Sequence, residues 1–143
     1  MTQHTLPIIK KAKEAKEKTA IIDTTGHYSY KNLLDASYST AITILSGKTT
    51  LNSDRIAFLI PSSFTYVRVL WAIWRAGGIA VPLSPLHPQP ELEYFIENSQ
   101  TNYIISTSYV DPNGPAIFTI GRMNPPTSGH LGLIREMIII APA

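Results

Sequence analysis

The residues best suited to chemistry on a ligand lie late in the chain, in the run Thr127-Ser128-Gly129-His130. A strand-like apolar pattern precedes this run and a helical pattern follows it, so it is predicted to be a loop that leaves a strand and enters a helix. Backbone N–H groups at such a helix start point toward a bound phosphate, and Gly129 permits close approach. His130 could then donate a hydrogen bond to a phosphoryl oxygen as charge builds. The alternative is a proline-rich connection in which His130 caps the helix or faces solvent.

The other histidines and the paired glycines predict no comparable site. His87 is expected to hold a turn, and His4 and His27 have no acid, serine or second histidine at a motif spacing. Gly77 and Gly78 are predicted to end a helix, whose C-terminal pole is negative, whereas phosphates favour the N-terminal end. We therefore assign no catalytic residue and no metal ligand.

Composition narrows the functional classes. The 143 residues fit one ordinary domain, but only 15% are charged, which is below the typical figure of about 25% and favours a chain that is part of something larger. The net charge of +2 is too small to indicate nucleic-acid binding. No secretory signal is expected, because no apolar segment follows the N-terminal lysines. No membrane span is expected, because Arg68 and Arg75 interrupt the longest apolar run. The absence of cysteine excludes disulfides and is compatible with a reducing compartment, so the cytoplasm is the expected location.

The chain is organised around the stretch from Arg55 to Leu83, which is typical of a β-α-β unit. Arg55 to Ile60 has strand length and ends at Pro61, and Ser62 or Ser63 is predicted to cap the following helix. Apolar residues cover well over half of this helix, so we expect it to be buried on more than one side. The predicted core stripe carries Phe64, Val67, Trp71 and Trp74, and the neighbouring stripe carries Tyr66, Leu70 and Ile73.

Gly77 and Gly78 are predicted to end that helix, because glycine takes the left-handed conformation without steric cost. Ile79 to Leu83 then forms a second buried strand, which should run parallel to the first.

Before this unit, residues 7–18 suit a surface helix with Ile8, Ala12 and Ala15 on its inner stripe. Ala20–Asp23 and His27–Ser29 flank a Thr-Thr-Gly turn and predict a hairpin. A long helix should follow, from a cap at Ser29 to a stop at Gly47.

After the unit, His87-Pro88-Gln89-Pro90 predicts a turn, with Pro90 at the first helical position. The next helix should bury Leu92, Phe95 and Ile96, and residues 102–106 should form a third core strand. Residues 111–115, Asp-Pro-Asn-Gly-Pro, are the expected linker. A strand at 116–120, a loop at 121–128 and a helix at 129–137 are predicted beyond it. The fold class is α/β, with a partial layered sheet, parallel β-α-β units, flanking helices and a small N-terminal hairpin.

Four segments, in this order and at this spacing, resemble the opening of acyl-CoA synthetases, which are members of the adenylate-forming, AMP-binding ligase superfamily. The resemblance covers residues 15–110, and the run from Arg75 to Leu83 together with His87-Pro88 is most similar to the malonyl-CoA synthetase branch. The segments are Tyr28 to Leu34, Asp54 to Ser63, Trp71 to Leu83, and Glu91 to Tyr94 with Asn102 to Ile105.

The resemblance implies a ligase that activates a small-molecule carboxylic acid with ATP and Mg²⁺ to an acyl-adenylate and passes the acyl group to CoA, as in fatty acid metabolism. The family uses a Ser/Thr/Gly-rich loop ending in Pro-Lys-Gly, a Thr-Glu pair, a ribose-binding Asp and a C-terminal lysine. We identify none of these in the sequence. Residues 1–110 are therefore expected to be a truncated N-terminal part of such a domain, inactive alone.

Residues 116–140 separately resemble the first strand, loop and helix start of cytidylyltransferase-like nucleotidyltransferases, whose loop carries a His-x-Gly-His or Thr-x-Gly-His signature. That resemblance implies a partial β-α segment at 116–143 that binds nucleotide. The implied nucleotide-binding residues are Gly121, Arg122, Asn124, Thr127, Gly129 and His130.

Three functional hypotheses follow. The first is the ligase fragment, joined near residues 111–115 to a second partial sequence. The second is a nucleotide-binding module that uses Thr127 and His130. The third is a non-enzymatic interaction fragment that self-associates through exposed apolar surface, since Trp71 and Trp74 would need cover.

Overall fold

A computed structural model of the chain describes residues 5–107, 118–122 and 137–140, with Thr107 and the last two ranges described by their backbone. Its described residues fall into two compact units, one from Met1–Asn52 and Ser62–Gly78 and the other from Ser53–Pro61 and Ile79–Ala143. The first contains three helices and a hairpin, and the second contains a mixed sheet and one helix. The predicted α/β class is confirmed.

The first unit begins with helix α1, Pro7–Glu14, and a hairpin of β1, Thr19–Asp23, with β2, Gly26–Ser29. The two strands are antiparallel and Gly26 has a positive φ of 149°, as expected for the predicted turn. The inner stripe of α1 differs from the prediction. Ile9 and Ala12 are buried and pack with Leu33 and Leu34, whereas Ile8 is exposed. The helix also ends at Glu14 instead of continuing to residue 18 as predicted.

Helix α2, Tyr30–Leu45, starts at the predicted Ser29 cap. The Ser29 hydroxyl accepts from the N–H of Asn32, and the Asn32 side chain accepts from the N–H of Ser29, so each residue satisfies an orphan donor of the first turn. The helix ends at Leu45, two residues before the predicted stop at Gly47. Ser46 takes the left-handed conformation, with φ 48°, and Gly47 follows with φ 87°.

Helix α3, Phe64–Arg75, begins at Ser63, whose hydroxyl accepts from the N–H of Tyr66. The prediction that it is buried on more than one side is confirmed, but Trp71 is the only member of the predicted stripe that is fully buried in the described chain. One buried side carries Arg68 and Trp71, and another carries Val69, Ala72 and Ile73. The predicted core residue Trp74 is exposed, at 37% of its surface, and Phe64 is half-buried. Every face of this helix has apolar residues, so periodicity alone does not tell which face is covered.

The second unit is a five-stranded sheet in the order β4-β3-β5-β6-β7. Strand β3, Arg55–Leu59, lies between β4, Ile79–Leu83, and β5, Tyr103–Thr107, and pairs in parallel with both. The predicted parallel pairing is therefore confirmed. Strand β4 is less buried than predicted, because it lies at the edge of the described sheet. Pro82, which has no N–H to donate, is tolerated in such an edge strand.

Helix α4, Gln89–Asn98, connects β4 to β5 and packs Leu92 and Ile96 against the sheet residues Ala57, Leu83 and Ile104. Phe95 is exposed, which corrects the prediction, and Pro90 occupies the second helical position instead of the first.

Two antiparallel strands complete the described sheet: β6, Phe118–Arg122, beside β5, and β7, Met137–Ile140, beside β6. Strand β6 starts and ends two residues later than predicted. The predicted linker at 111–115 and positions 129–136 of the predicted helix lie outside the described residues. Met137, the predicted last residue of that helix, is the first residue of β7 instead.

Candidate functional site

The residues predicted to bind nucleotide are only partly within the described chain. Gly121 and Arg122 lie in β6, where Gly121 is opposite Ile104 and Arg122 is opposite Tyr103. Gly121, where the sequence analysis placed the start of a loop, and Arg122 are therefore strand residues. The remaining predicted residues, Asn124, Thr127, Gly129 and His130, lie outside the described residues.

Gly77 and Gly78 end α3 as predicted. The N–H of Gly77 donates to the carbonyl of Trp74 and the N–H of Gly78 donates to the carbonyl of Ile73, which is the Schellman arrangement. Gly77 has φ 81°, and a Cβ placed there would lie 2.5 Å from Oγ1 of Thr50. Both glycines serve the helix end, and their N–H groups are occupied, so this turn offers no cradle for a phosphate.

His87 is part of a braced turn after β4. Its N–H donates to the carbonyl of Ser84, its Nδ1 is 2.7 Å from Oε2 of Glu91, and its ring meets Phe95 edge-on at 5.4 Å between centroids. These contacts hold the start of α4, in line with the structural role expected from sequence.

Asp23 joins the hairpin to α3, a role that the sequence analysis missed. Its Oδ1 accepts from the N–H groups of Thr25 and Gly26, and its Oδ2 accepts from the N–H of Phe64, the first residue of α3. Tyr28 stacks on the Phe64 ring at 4.1 Å between centroids. The hydrogen bonds, that from Phe64 first and that from the Thr25 hydroxyl next, lower the pKa of Asp23 to about 2. An aspartate before a Thr-Thr-Gly turn was the available signal.

Two arginines on α3 face α2 and were also missed, because the sequence analysis treated them as interruptions of an apolar run. Arg68 is buried and its Nε donates to Oγ1 of Thr40, 2.6 Å away. Arg75 donates from Nη1 to the carbonyl of Leu34 and to Oγ of Ser37. Burial lowers the pKa of both guanidinium groups. Their seven-residue spacing places them on one helix face and was the signal available in the sequence.

A cleft of about 440 Å³ lies at the Arg75 end of this helix pair. Its lining combines positive charge with one aromatic ring and one carboxylate: Lys13, Lys16, Leu34, Asp35, Tyr38 and Arg75. The Arg75 guanidinium carbon lies 5.4 Å from the centroid of the Tyr38 ring, within the range of a cation–π contact.

Neither a magnesium site nor a membrane span emerges from the described residues. No group of three histidine or acidic side chains that could together hold a metal ion is found among these residues. Among the same residues, no helix combines the length and apolar character needed to traverse a bilayer.

Comparison with known proteins links the fold to a family. The AMP-binding enzyme family matches residues 8–123. Among curated proteins, the chain is 35% identical over 123 residues to the mitochondrial malonate–CoA ligase ACSF3 of Xenopus laevis and 34% identical over 125 residues to that of Mus musculus. These alignments cover 82% and 84% of this chain but 21% of each relative, so the chain spans about a fifth of their length.

Solved structures agree on the fold. VinN in complex with L-aspartate matches 71% of this chain and 29% of its own, with a TM-score of 0.62 and 25% identity. The N-terminal subdomain of Klebsiella oxytoca NpsA matches 75% of this chain and 28% of its own, with a TM-score of 0.65 and 18% identity. The latter likeness supports the fold alone. The family match over most of the residues, together with the parallel β3, β4 and β5 strands, shows that the chain belongs to the AMP-binding enzyme family of adenylate-forming ligases.

Proposed function

We propose that this chain is the opening scaffold of an ATP-dependent acyl-CoA synthetase, which joins a carboxylic acid to CoA through an acyl-adenylate. The similarity to malonate–CoA ligases over 123 residues carries the proposal. The parallel sheet and the braced turns at Gly77 and His87 support it, because a scaffold must hold reacting groups in fixed geometry. Malonate is the proposed acid of the whole enzyme, since it is the acid in the relatives' names.

The chemistry of acyl-adenylate formation determines which further groups the scaffold needs for activity. In this reaction a carboxylate attacks the α-phosphate of ATP, and both groups are negatively charged. Bound Mg²⁺ and basic hydrogen-bond donors would screen the repulsion between them. The described residues contain no group of three histidine or acidic side chains that could hold a metal ion, and the sequence contains no Pro-Lys-Gly loop. We propose that this chain alone forms neither acyl-adenylate nor acyl-CoA.

A direct assay tests that inactivity. The purified 143-residue chain would be incubated with ATP, Mg²⁺, CoA and a panel of acids that includes malonate, acetate and a medium-chain fatty acid. Pyrophosphate release and thioester formation should both stay at the level of a blank without protein. Release of pyrophosphate that depends on the added acid would contradict the proposal.

Self-association is a second candidate property, and the exposed apolar side chains favour it. Leu86 is 93% exposed, and Trp74, Tyr94 and Phe95 also present apolar surface. Trp71 does not contribute, because it is buried against α1 and α2 residues. Light scattering should show a mass that rises with protein concentration, and a monomer mass at all concentrations would remove this candidate.

The cytoplasmic location stays a prediction. The names of the frog and mouse relatives include the word mitochondrial, which supports mitochondria as the competing location. Imaging of the tagged chain beside a mitochondrial marker decides between them.

A further inference from the structure

The cleft formed by α1, α2 and α3 has an arginine that is fixed in place and still has unused donors. Arg75 is held by two hydrogen bonds from Nη1, 2.8 Å to the carbonyl of Leu34 and 2.9 Å to Oγ of Ser37. Its guanidinium also lies near the Tyr38 ring. Within the described part of the chain, Nε and Nη2 have no acceptor. Three N–H donors therefore remain on a group that needs no further ordering before it binds an anion.

The charge around this arginine is unbalanced. Lys13 and Lys16 line the same cleft, and neither makes an ion pair with any residue that the structure describes. The single carboxylate of the lining, Asp35, is paired with Lys31 at 2.8 Å and also attracts the Arg75 guanidinium, so one negative charge faces the three positive charges of Lys13, Lys16 and Arg75. The other carboxylates close to α1 are also engaged, since Glu14 pairs with Lys11 and Glu17 interacts with Lys31. The cleft thus concentrates positive charge beside a partly desolvated guanidinium.

The shape and donors indicate the class of ligand. A planar guanidinium edge matches two oxygens of a phosphate, and two flexible ammonium groups can meet further oxygens without strict geometry. A volume of about 440 Å³ admits a di- or triphosphate-sized anion. A monocarboxylate would leave much of this charge unmatched.

We propose that Lys13, Lys16 and Arg75 form a binding site for a phosphate-bearing polyanion in the cleft of α1, α2 and α3. The site uses none of residues 127–130, and the proposal does not depend on the synthetase activity proposed above. Lys13 and Lys16 act as mobile counter-charges, whereas Arg75 is the fixed anchor whose other donors stabilise α2.

Calorimetric titration of the 143-residue chain with inorganic pyrophosphate at low ionic strength tests the site. Substitution of both lysines, Lys13→Gln with Lys16→Gln, should weaken binding by at least about tenfold, because each charge-assisted hydrogen bond contributes to affinity. The matched control, Lys10→Gln with Lys18→Gln, removes the same charge from exposed positions outside the cleft and should change affinity less than about threefold. Far-UV circular dichroism checks that both variants fold.

Parallel titrations separate the ligand classes. Inorganic phosphate should bind more weakly than pyrophosphate, and AMP should show whether a nucleoside adds affinity to its phosphate. Malonate should bind more weakly than pyrophosphate. No heat of binding with pyrophosphate, equal losses in both double variants, or malonate binding as tightly as pyrophosphate would each overturn the proposal.

Discussion

The carboxylate of Asp23 accepts a hydrogen bond from the backbone N–H of Phe64, 2.9 Å away, although 41 positions separate the two residues. The same carboxylate closes the β1–β2 turn through Thr25 and Gly26. One side chain therefore both shapes the hairpin and satisfies an orphan donor at the start of α3. Because Ser63 caps the N–H of Tyr66, two different side chains serve the first turn of this helix.

The Asp23 contact predicts a pH dependence of stability. The pKa of Asp23 is about 2 in the folded chain and about 4 in an unfolded one, so its stabilisation is present above pH 4. It is lost as pH falls from about 4 to about 2, because the protonated acid no longer attracts the three N–H donors as an anion. Asp23→Asn should remove this part of the pH dependence and lower the melting temperature at pH 7. Thermal unfolding at several pH values measures both effects.

Asp35→Asn is the matched control, since Asp35 is an exposed carboxylate whose hydrogen-bond partner is Lys31. It should change the melting temperature at pH 7 very little, because exposed ion pairs contribute about 0–1 kcal/mol. Equal effects of the two substitutions would show that Asp23 has no special role.

Gly77 predicts a steric effect beyond its backbone conformation. Gly77→Ala places a Cβ against Oγ1 of Thr50 and forces a non-glycine residue to φ 81°, so we expect a loss of about 2 kcal/mol in the free energy of unfolding. Gly47→Ala has a similar positive φ of 87° and open space around it, so it should lose only about 1 kcal/mol. Chemical denaturation compares them. Adding Thr50→Ala to Gly77→Ala should recover part of the difference, and no recovery would argue against the contact.

The two buried sides of α3 predict unequal costs for neighbouring substitutions. Ile73 is fully buried, so Ile73→Ala should lower the free energy of unfolding by about 2–5 kcal/mol through cavity formation. Trp74 is 37% exposed, so Trp74→Ala should cost clearly less than Ile73→Ala despite its larger side chain. Urea denaturation of both variants checks this order. A larger loss of unfolding free energy for Trp74→Ala than for Ile73→Ala would favour the buried stripe predicted from sequence.

The run from Thr127 to His130 is predicted from sequence to bind nucleotide, and a substitution tests this. If the run binds nucleotide, His130→Ala should weaken the binding of ATP or CTP by about tenfold, because a charge-assisted hydrogen bond is lost. Titration of each nucleotide into the chain and the variant measures this. Equal affinity for both proteins, or no binding by either, would remove the nucleotidyltransferase hypothesis.

Local signals predicted the elements well, because capping and turn chemistry depend on neighbouring residues. Ser29, Ser63, Gly26 and Gly77 occupy the cap and turn positions expected from sequence. The alternation of strand and helix also predicted the parallel sheet.

Exposure and long-range contacts were predicted less well. On α3, nearly every face is apolar, so the exposure of Trp74 depends on what lies opposite it and not on its own helix. Arg68 and Arg75 are held by Thr40 and Leu34 on another helix, and Asp23 reaches Phe64 across 41 positions. Such partners are not visible in a local window of sequence.

A segment exchange tests the proposed scaffold role most directly. Residues 8–123 of this chain would replace the aligned segment of the Xenopus laevis malonate–CoA ligase, and malonyl-CoA formation would be measured with ATP, Mg²⁺ and CoA. The control exchange carries Gly77→Ala and Asp23→Ala, which disturb the helix end and the hairpin contact. We predict that the first chimera forms malonyl-CoA and that the control loses most of this activity. A first chimera that folds, as judged by circular dichroism and a monodisperse elution, yet forms no malonyl-CoA would contradict the proposal that this chain is the scaffold of an acyl-CoA synthetase.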